Sequence, residues 1–181
     1  MKTLTYKLIT AENLDEAVAL QNEIFPQCDG YQNYMDAIQG TTQAEYYLAF
    51  LDEEPVGLFG IYQEDAEKES AWLQWFGIKK AYRRQHLGTG ILLYFEYLAK
   101  QRGHLFARLY IDAERNEVAH GFFRKYEYQS EPYLREDDPQ SSKTPVLIFS
   151  KSLCDQDCPA WDNKDIHLSL QVEKENSRKR K

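Results

Sequence analysis

The chain contains few cysteines, and their spacing matches neither a disulfide framework nor a common zinc site. Cys28 stands alone, whereas Cys154 and Cys158 are separated by three residues in a polar segment. Structural zinc sites have four ligands, and only His167 could join the pair as a third. We therefore expect no metal site. Free cysteines without a disulfide framework also fit a protein of the reducing cytoplasm.

Long apolar runs are missing as well. A helix needs about 20 mostly apolar residues to cross a bilayer, and the sequence contains no such run. The first residues also lack the charged, apolar and small-residue order of a secretory signal. We expect a cytoplasmic location and no membrane partner.

Basic residues are in the minority over most of the chain. The formal net charge is −7, and residues 172–181 carry a local charge of +3, which leaves −10 for the rest. An acidic body would repel duplex phosphates, so no nucleic-acid partner is expected. The same acidic body suits an amine substrate. The basic end is predicted to be a solvated tail, although a segment that docks a protein partner remains an alternative.

The composition is typical of a folded globule, with 43% hydrophobic and 14% aromatic residues among 181. We predict one domain over residues 3–153 and a polar C-terminal extension over residues 154–181, basic at its end. Hydrophobic periodicity predicts strands alternating with helices. The predicted strands cover residues 4–9, 45–51, 56–62, 71–78, 105–111, 126–129 and 145–149. The predicted helices run from an N-cap at Thr10 to residue 25, over 31–39, from 87 to just before Gly103, and from Asn116 onward; charged loops cover 63–70 and 135–144, and residues 166–170 have some strand character.

Residues 82–90, with the sequence YRRQHLGTG, form a basic turn between a predicted strand and a predicted helix. Backbone N–H groups at a helix N-terminus lack intrahelical partners and carry partial positive charge, so such a turn can bind phosphate. The turn has neither the three glycines of a dinucleotide fingerprint nor the Gly-Lys-Ser/Thr end of a Walker loop. The sequence therefore predicts a different phosphate-bearing ligand. Parallel pairing of the strands on either side would place it beyond their carboxyl ends.

The order of elements and two segments resemble the GCN5-related N-acetyltransferases, the GNAT superfamily. Residues 78–93 look like the acetyl-CoA motif of that family, and residues 116–128 are similar to its Asn-opened helix and following strand. The resemblance covers about residues 3–153. It implies an α/β (α+β) fold with a central mixed, mostly antiparallel twisted sheet of about six to seven strands, a splayed central parallel pair, and helices on both faces.

This resemblance implies direct transfer of an acetyl group from acetyl-CoA, as cosubstrate, to a primary amine of a small molecule, amino acid or peptide. Two other functions stay open: an acyl-CoA-binding regulatory module with little or no transferase activity, and a scaffold that docks a partner through the basic tail. A homodimer is also left open.

The resemblance also assigns residues to the acetyl-CoA site. The amide of Ile78 would polarise the thioester carbonyl, and a bulge near Phe76 and Gly77 would open the strand to the pantetheine arm. Asn116 would contact that arm, and Phe123 would lie on the same helix beside the cofactor. The CoA pyrophosphate would be bound by the turn, through Arg83, Arg84, Gln85, His86, Leu87, Gly88, Thr89 and Gly90.

His86 stands where the family usually has a glycine. A shifted register from Gln85 to Gly90 satisfies the motif literally but misplaces the strand before it, so the first register is preferred. The backbone amide of His86 can still bind phosphate, unless the position needs a positive φ.

The catalytic groups also depart from the family pattern. Phe123 occupies the position of the tyrosine that often protonates the departing thiolate. Tyr126, three residues later, is the candidate replacement acid, with packing on the sheet as the alternative. Gln74 occupies the neighbourhood of a frequent carboxylate base, so no general base is assigned.

Overall fold

The computed structural model describes residues 3–133 and 145–161. These residues form seven strands, four α-helices and one 3-10 turn. In chain order they are β1 (Leu4–Leu8), α1 (Leu14–Ile24), α2 (Tyr31–Ile38), β2 (Glu45–Leu51), β3 (Glu54–Glu64), β4 (Glu67–Ile78), the 3-10 turn (Lys80–Tyr82), α3 (Leu87–Gln101), β5 (Phe106–Asp112), α4 (Glu117–Lys125), β6 (Gln129–Tyr133) and β7 (Val146–Ser152).

The strands form one sheet with the order β1-β2-β3-β4-β5-β7-β6. The pairs β1–β2, β2–β3, β5–β7 and β6–β7 are antiparallel, whereas β4 and β5 are parallel. The parallel ladder is short, from Ser70 opposite Phe106 to Trp72 opposite Arg108. The mixed, mostly antiparallel sheet with one central parallel pair confirms the predicted fold class.

The described chain divides into two compact units. The first contains residues 3–62 and 73–97, and the second contains residues 63–72, 98–133 and 145–161.

Helices lie on both faces of the sheet in the first unit. On one face, α1 and α2 cover a buried cluster that includes Leu20, Ile24, Tyr34, Tyr46 and Leu48. On the other face, Tyr94 of α3 stacks on Tyr6 with ring centroids 3.8 Å apart and meets Tyr47 and Phe59 edge to face. The alternation of β2 explains this division, because Tyr46 and Tyr47 point to opposite faces.

Helix α1 begins later than the sequence predicts. Its N-cap is Asn13, not Thr10. The Thr10 amide donates to Asn13 Oδ1 at 2.8 Å, and Asn13 Nδ2 donates to the Leu8 carbonyl at 3.0 Å. Asn13 therefore ties the end of β1 to the turn before the helix.

Two further predictions were wrong. Residues 63–70 are not a loop, because β3 continues to Glu64 and β4 begins at Glu67, with Glu67 and Ser70 buried. Residues 126–128 are not a strand: Tyr126 caps α4, Glu127 has φ 68°, and the Tyr128 amide donates to the Phe123 carbonyl. Of the remaining predictions, residues 135–144 and 166–170 lie outside the described residues.

The second unit has a polar group at the centre of its core. Arg108 is fully buried, and its guanidinium donates to Ser70 Oγ at 3.0 Å, to Ser150 Oγ at 2.5 Å and to the Pro159 carbonyl at 3.1 Å. Trp161 is fully buried, with its ring centroid 5.2 Å from that of Trp72. Pro159 and Trp161, both in the predicted extension, thus pack into the core of this unit, while the domain boundaries themselves stay a prediction.

Candidate functional site

The predicted phosphate turn lies between β4 and α3 in the first unit. Residues 83–86 connect the 3-10 turn to Leu87, the first residue of α3, and all four are exposed. Arg83 Nε donates to the Ile78 carbonyl at 3.1 Å, which ties the turn to the end of β4. The structure therefore brings the predicted thioester-binding strand end and the predicted phosphate turn together.

The N-terminus of α3 directs backbone amides toward this turn. The first backbone hydrogen bond of the helix runs from the Gly90 amide to the His86 carbonyl, at 3.4 Å. The amides of Leu87, Gly88 and Thr89 precede that bond within the helix. Such amides and the helix dipole favour an anion, so the turn fits a pyrophosphate.

Two residues of the turn have left-handed backbone conformations. Arg84 and His86 each have φ 61°. The position where the family usually has glycine thus does require a positive φ, and here a histidine adopts it. For a residue with a Cβ this conformation costs about 1–2 kcal/mol.

Replacing His86 with glycine should therefore stabilise the protein. We expect His86→Gly to raise the free energy of unfolding by up to about 1 kcal/mol, because part of the relieved strain is offset by the entropy of glycine. His86→Ala is the matched control, since it removes the imidazole and keeps the strain. Denaturant unfolding of both variants checks this, and a His86→Gly protein less stable than His86→Ala would contradict it.

Glu54 holds the segment before the turn, although it was not among the site residues predicted from the sequence. Its Oε2 accepts a hydrogen bond from Tyr82 Oη, and its Oε1 accepts one from Lys79 Nζ at 3.2 Å. These hydrogen bonds, first from Tyr82 and then from Lys79, lower the pKa of the Glu54 carboxyl. The partners are 25 and 28 residues apart in sequence, so no local pattern could reveal the contact.

β4 runs without interruption from Glu67 to Ile78, and its backbone departs from extended geometry at Trp75, one residue before the predicted Phe76. Trp75 has φ 49°, which is unusual for so large a side chain. Gly77 is not among the described residues with positive φ, and its lack of a side chain serves close packing instead. A Cβ there would lie 2.4 Å from Ile24 Cγ2 and 2.7 Å from Phe25 Cζ.

This close approach makes Gly77 sensitive to a single methyl group. Gly77→Ala should lower the free energy of unfolding by about 1–3 kcal/mol through overpacking against the end of α1. Gly121→Ala is the control, because nothing lies within 4 Å of a Cβ at that position. Thermal unfolding of both variants gives the comparison, and equal melting temperatures would contradict the packing role.

Gln74 is part of a neutral hydrogen-bonded pair. Its Nε2 donates to Tyr46 Oη at 2.8 Å. Gly60 leaves room for the pair, because a Cβ there would lie 2.6 Å from Tyr46 Cδ1 and 3.0 Å from Gln74 Cγ. Burial raises the pKa of Tyr46 to about 12. Neither partner can act as a base near neutral pH.

The buried tyrosines predict a loss of stability in alkali. Burial also raises the pKa of Tyr6 to about 12 and raises that of Tyr34. An unfolded tyrosine ionises near pH ~10, so the stabilisation is complete below that pH and is lost as the pH rises from about 10 to 12. Tyr46→Phe should flatten this decline, and exposed Tyr97→Phe should not. Denaturant unfolding across this pH range would contradict the account if both variants keep the wild-type slope.

The second unit contains the other predicted site residues, on and before α4. Asn116 is the N-cap, with φ 64°, and its carbonyl accepts from the His120 amide at 3.0 Å. The loop before it is fixed by Asp112, whose Oδ1 accepts from the Glu114 and Arg115 amides. Asn116 thus occupies the helix-opening position predicted for it.

Phe123 and Tyr126 have different environments in this unit. Phe123 is 2% exposed and packs against Tyr128 and Phe149. Tyr126 is partly exposed at the C-terminus of α4, with its ring centroid 5.0 Å from that of Phe122. The cofactor contact of Phe123 and the acid role of Tyr126 stay predictions.

Within residues 3–133 and 145–161, no group of three or more His, Cys, Asp or Glu side chains could hold a metal ion. Over the same residues, no helix combines the length and apolar character needed to cross a membrane.

Comparison with solved structures finds the same fold in bacterial and archaeal proteins. The ribosomal-protein-S18-alanine N-acetyltransferase of Escherichia coli is similar with a TM-score of 0.68 at 13% identity, over 92% of this chain and all of that one. A GNAT-family acetyltransferase of Staphylococcus aureus gives 0.65 at 16% identity, over 84% and 100%. The PaiA N-acetyltransferase of Thermoplasma acidophilum, in complex with coenzyme A, gives 0.64 at 17% identity, over 83% and 99%.

Sequence comparison identifies the family. No curated protein matches this chain at a significant level. The family model described as the acetyltransferase (GNAT) family matches residues 11–128, which is more than half of the chain and includes the turn and α4. The protein is therefore an acyltransferase that belongs to the GNAT acetyltransferase family.

Proposed function

We propose that the protein transfers an acetyl group from acetyl-CoA to a primary amine of a small molecule, amino acid or peptide, by direct attack of the amine. The observation that carries this proposal is the turn at residues 83–86. It combines exposed Arg83 and Arg84 with the amide-rich N-terminus of α3 and is tied to β4 by the Arg83–Ile78 hydrogen bond. The composition supports a cytoplasmic location and no nucleic-acid or membrane partner.

The roles in this proposal follow from what each group can donate. Arg83 and Arg84 supply positive charge to the pyrophosphate, together with the backbone amides of residues 85–89, since the Gly90 amide donates to the His86 carbonyl. The amide of Ile78 stabilises the negative charge that develops on the thioester oxygen. Phe76, Gly77, Asn116 and Phe123 belong to the proposed pantetheine side of the site. Acetyl-CoA supplies the activated acetyl group and a thiolate leaving group.

Proton transfer needs less help from the protein in this reaction than in many others. A thiol has a pKa near ~8.5, so the departing thiolate can leave without a dedicated acid. Tyr126 is the proposed acid when one is used, and its loss should reduce the rate only modestly. The Gln74–Tyr46 pair offers no base, so the amine reaches the site neutral or loses its proton to water or to another group.

Release of free thiol from acetyl-CoA, with and without a panel of primary amines, tests the function. We expect at least one amine to accelerate release and to gain one acetyl group. Arg84→Ala should weaken acetyl-CoA binding about tenfold, the loss expected for a charge-assisted hydrogen bond, with little change in kcat. Arg102→Ala, an exposed arginine at the end of α3, is the control and should bind normally.

A regulatory CoA-binding module is the second candidate. The burial of Phe123 at the usual acid position and the neutral Gln74–Tyr46 pair favour it. Tight CoA binding that depends on Arg84, together with no amine-dependent thiol release, would support the module over the transferase.

A further inference from the structure

Two buried hydrogen-bond donors in the first unit have no partner within residues 3–133 and 145–161. They are the indole Nε1 of Trp75 and the hydroxyl of Tyr34. Tyr34 is fully buried, and Trp75 is partly buried against the same hydrophobic cluster beneath α1 and α2. Buried polar groups in folded proteins are almost always hydrogen-bonded. Two such donors in one cluster therefore point to a missing acceptor.

The two donors are linked through a chain of contacts. The Tyr34 ring centroid lies 5.0 Å from that of Tyr46, whose hydroxyl accepts from Gln74, the residue before Trp75. The Trp75 ring lies 5.6 Å from that of Phe25, at the end of α1. Trp75 also directly precedes Phe76, where the proposed acetyl-CoA site begins.

The strained backbone of Trp75 determines where its indole lies. Successive side chains of a regular strand point to opposite faces. Here, however, Gln74 reaches Tyr46 of the α1–α2 cluster and Trp75 packs against that same cluster. The φ of 49° at Trp75 breaks the alternation and turns the indole toward this side. Strain of this kind is retained mostly at functional sites.

The chemistry of the donors identifies their missing partner. An indole N–H can only donate, and burial raises the pKa of Tyr34, so its hydroxyl stays protonated. The partner is therefore an oxygen acceptor. The carboxylate of Asp36 acts on the neighbouring Tyr46 and would repel a second carboxylate. A neutral amide carbonyl fits this environment better than a carboxylate.

We propose that Trp75 and Tyr34 determine acceptor specificity by donating hydrogen bonds to amide carbonyl oxygens of the amine substrate. The substrate class is then a primary amine that carries an amide, such as an amino-acid amide or a peptide N-terminus. This inference rests on the proposed transferase function. Because Tyr34 is fully buried on α2, substrate binding requires this eight-residue helix to shift and open its hydroxyl to the amine.

The kinetic test compares three amines of similar size: alaninamide, alanine and sec-butylamine. Wild-type kcat/KM should be highest for alaninamide. Trp75→Phe and Tyr34→Phe should each lower it about tenfold for alaninamide, the loss of one hydrogen bond, and leave sec-butylamine within about twofold. Exposed Tyr97→Phe is the control and should change neither. Because each variant is compared with the wild type on the same amine, the different basicities of the amines cancel.

Thermal unfolding of Tyr34→Phe supplies a readout that needs no activity. An unpartnered hydroxyl can be removed without loss, so the melting temperature should stay the same or rise. A fall of several degrees would show that the hydroxyl is already bonded, for example to a buried water, and would overturn the inference.

The two proposals fail in different ways. If no amine accelerates thiol release from the wild type, the transferase function fails, and this inference fails with it. If transfer occurs but the variants affect all three amines equally, or none, the specificity role alone is overturned.

Discussion

Arg108→Ala should lower the free energy of unfolding by about 3–5 kcal/mol, because it removes the cationic partner of a buried ion pair with Glu67. The guanidinium is fully buried and satisfies Ser70, Ser150 and the Pro159 carbonyl. Its Nε also lies 4.0 Å from a carboxylate oxygen of Glu67, which is 6% exposed. Without the arginine, the buried carboxyl of Glu67 loses the ion-pair partner that it has among residues 3–133 and 145–161.

The double variant Arg108→Met with Glu67→Gln separates this cause from simple loss of packing. Removing both charges should recover a substantial part of the stability, since apolar or neutral replacements of buried ion pairs are often tolerated. Denaturant unfolding of the single and double variants measures the coupling. Arg102→Ala, on the surface, should change stability by less than about 0.5 kcal/mol. An Arg108→Ala protein as stable as the Arg102→Ala control would contradict the account.

Trp161→Ala should destabilise the protein by about 3–5 kcal/mol, the usual cost of removing a fully buried tryptophan. The ring packs edge to face on Trp72, and the Arg108 guanidinium carbon lies 5.3 Å from its centroid. Trp161→Phe should lose less, because an aromatic ring still contacts both partners. Thermal unfolding distinguishes these variants.

The same substitution tests where the folded domain ends. If the domain stops at residue 153, Trp161→Ala and truncation after residue 153 should both be nearly neutral. The packing of Trp161 predicts that both are strongly destabilising. Because Trp161 and Arg108 are in contact, their effects should not be additive, and a double-mutant cycle should give a coupling of about 0.5–3 kcal/mol.

Elements with strong local signals could be predicted from the sequence. The helical spacing of Leu87, Ile91, Leu92 and Phe95 predicted α3. Gly103, which has φ 81°, lies just past the end of that helix, as predicted. The parallel pair followed from the strand, turn, helix and strand order. These features depend on periodicity and turn chemistry, which neighbouring residues determine.

Elements that depend on distant partners could not be predicted. The charged residues 63–70 look like a loop, but Glu67 is buried beside Arg108, 41 positions later in the sequence. The strand predicted at residue 126 fails because Glu127 adopts a positive φ and the helix end bonds back to Phe123. For residues 63–70 a tertiary contact overrides the local preference, whereas α4 ends in a local backbone cap whose residue with positive φ is a glutamate and not the usual glycine.

The candidate site shows the same division. The basic turn and its position before α3 could be predicted from the sequence, because their residues are consecutive. The sequence did not predict the hydrogen bonds of Glu54 with Tyr82 and Lys79, or the strained backbone of Trp75. Each depends on chain segments that only folding brings together. The requirement for positive φ at His86 also became visible only in the folded backbone.

The proposed reaction is direct acetyl transfer from acetyl-CoA to an amine. Mass spectrometry of a reaction with isotopically labelled acetyl-CoA and a mixed library of primary amines and peptides distinguishes it from binding alone. Direct transfer gives a labelled acetyl group on one or more amines, free CoA in equal amount, and no labelled protein. CoA binding at the turn without any acetylated amine, or a labelled acetyl group retained on the protein, would contradict it.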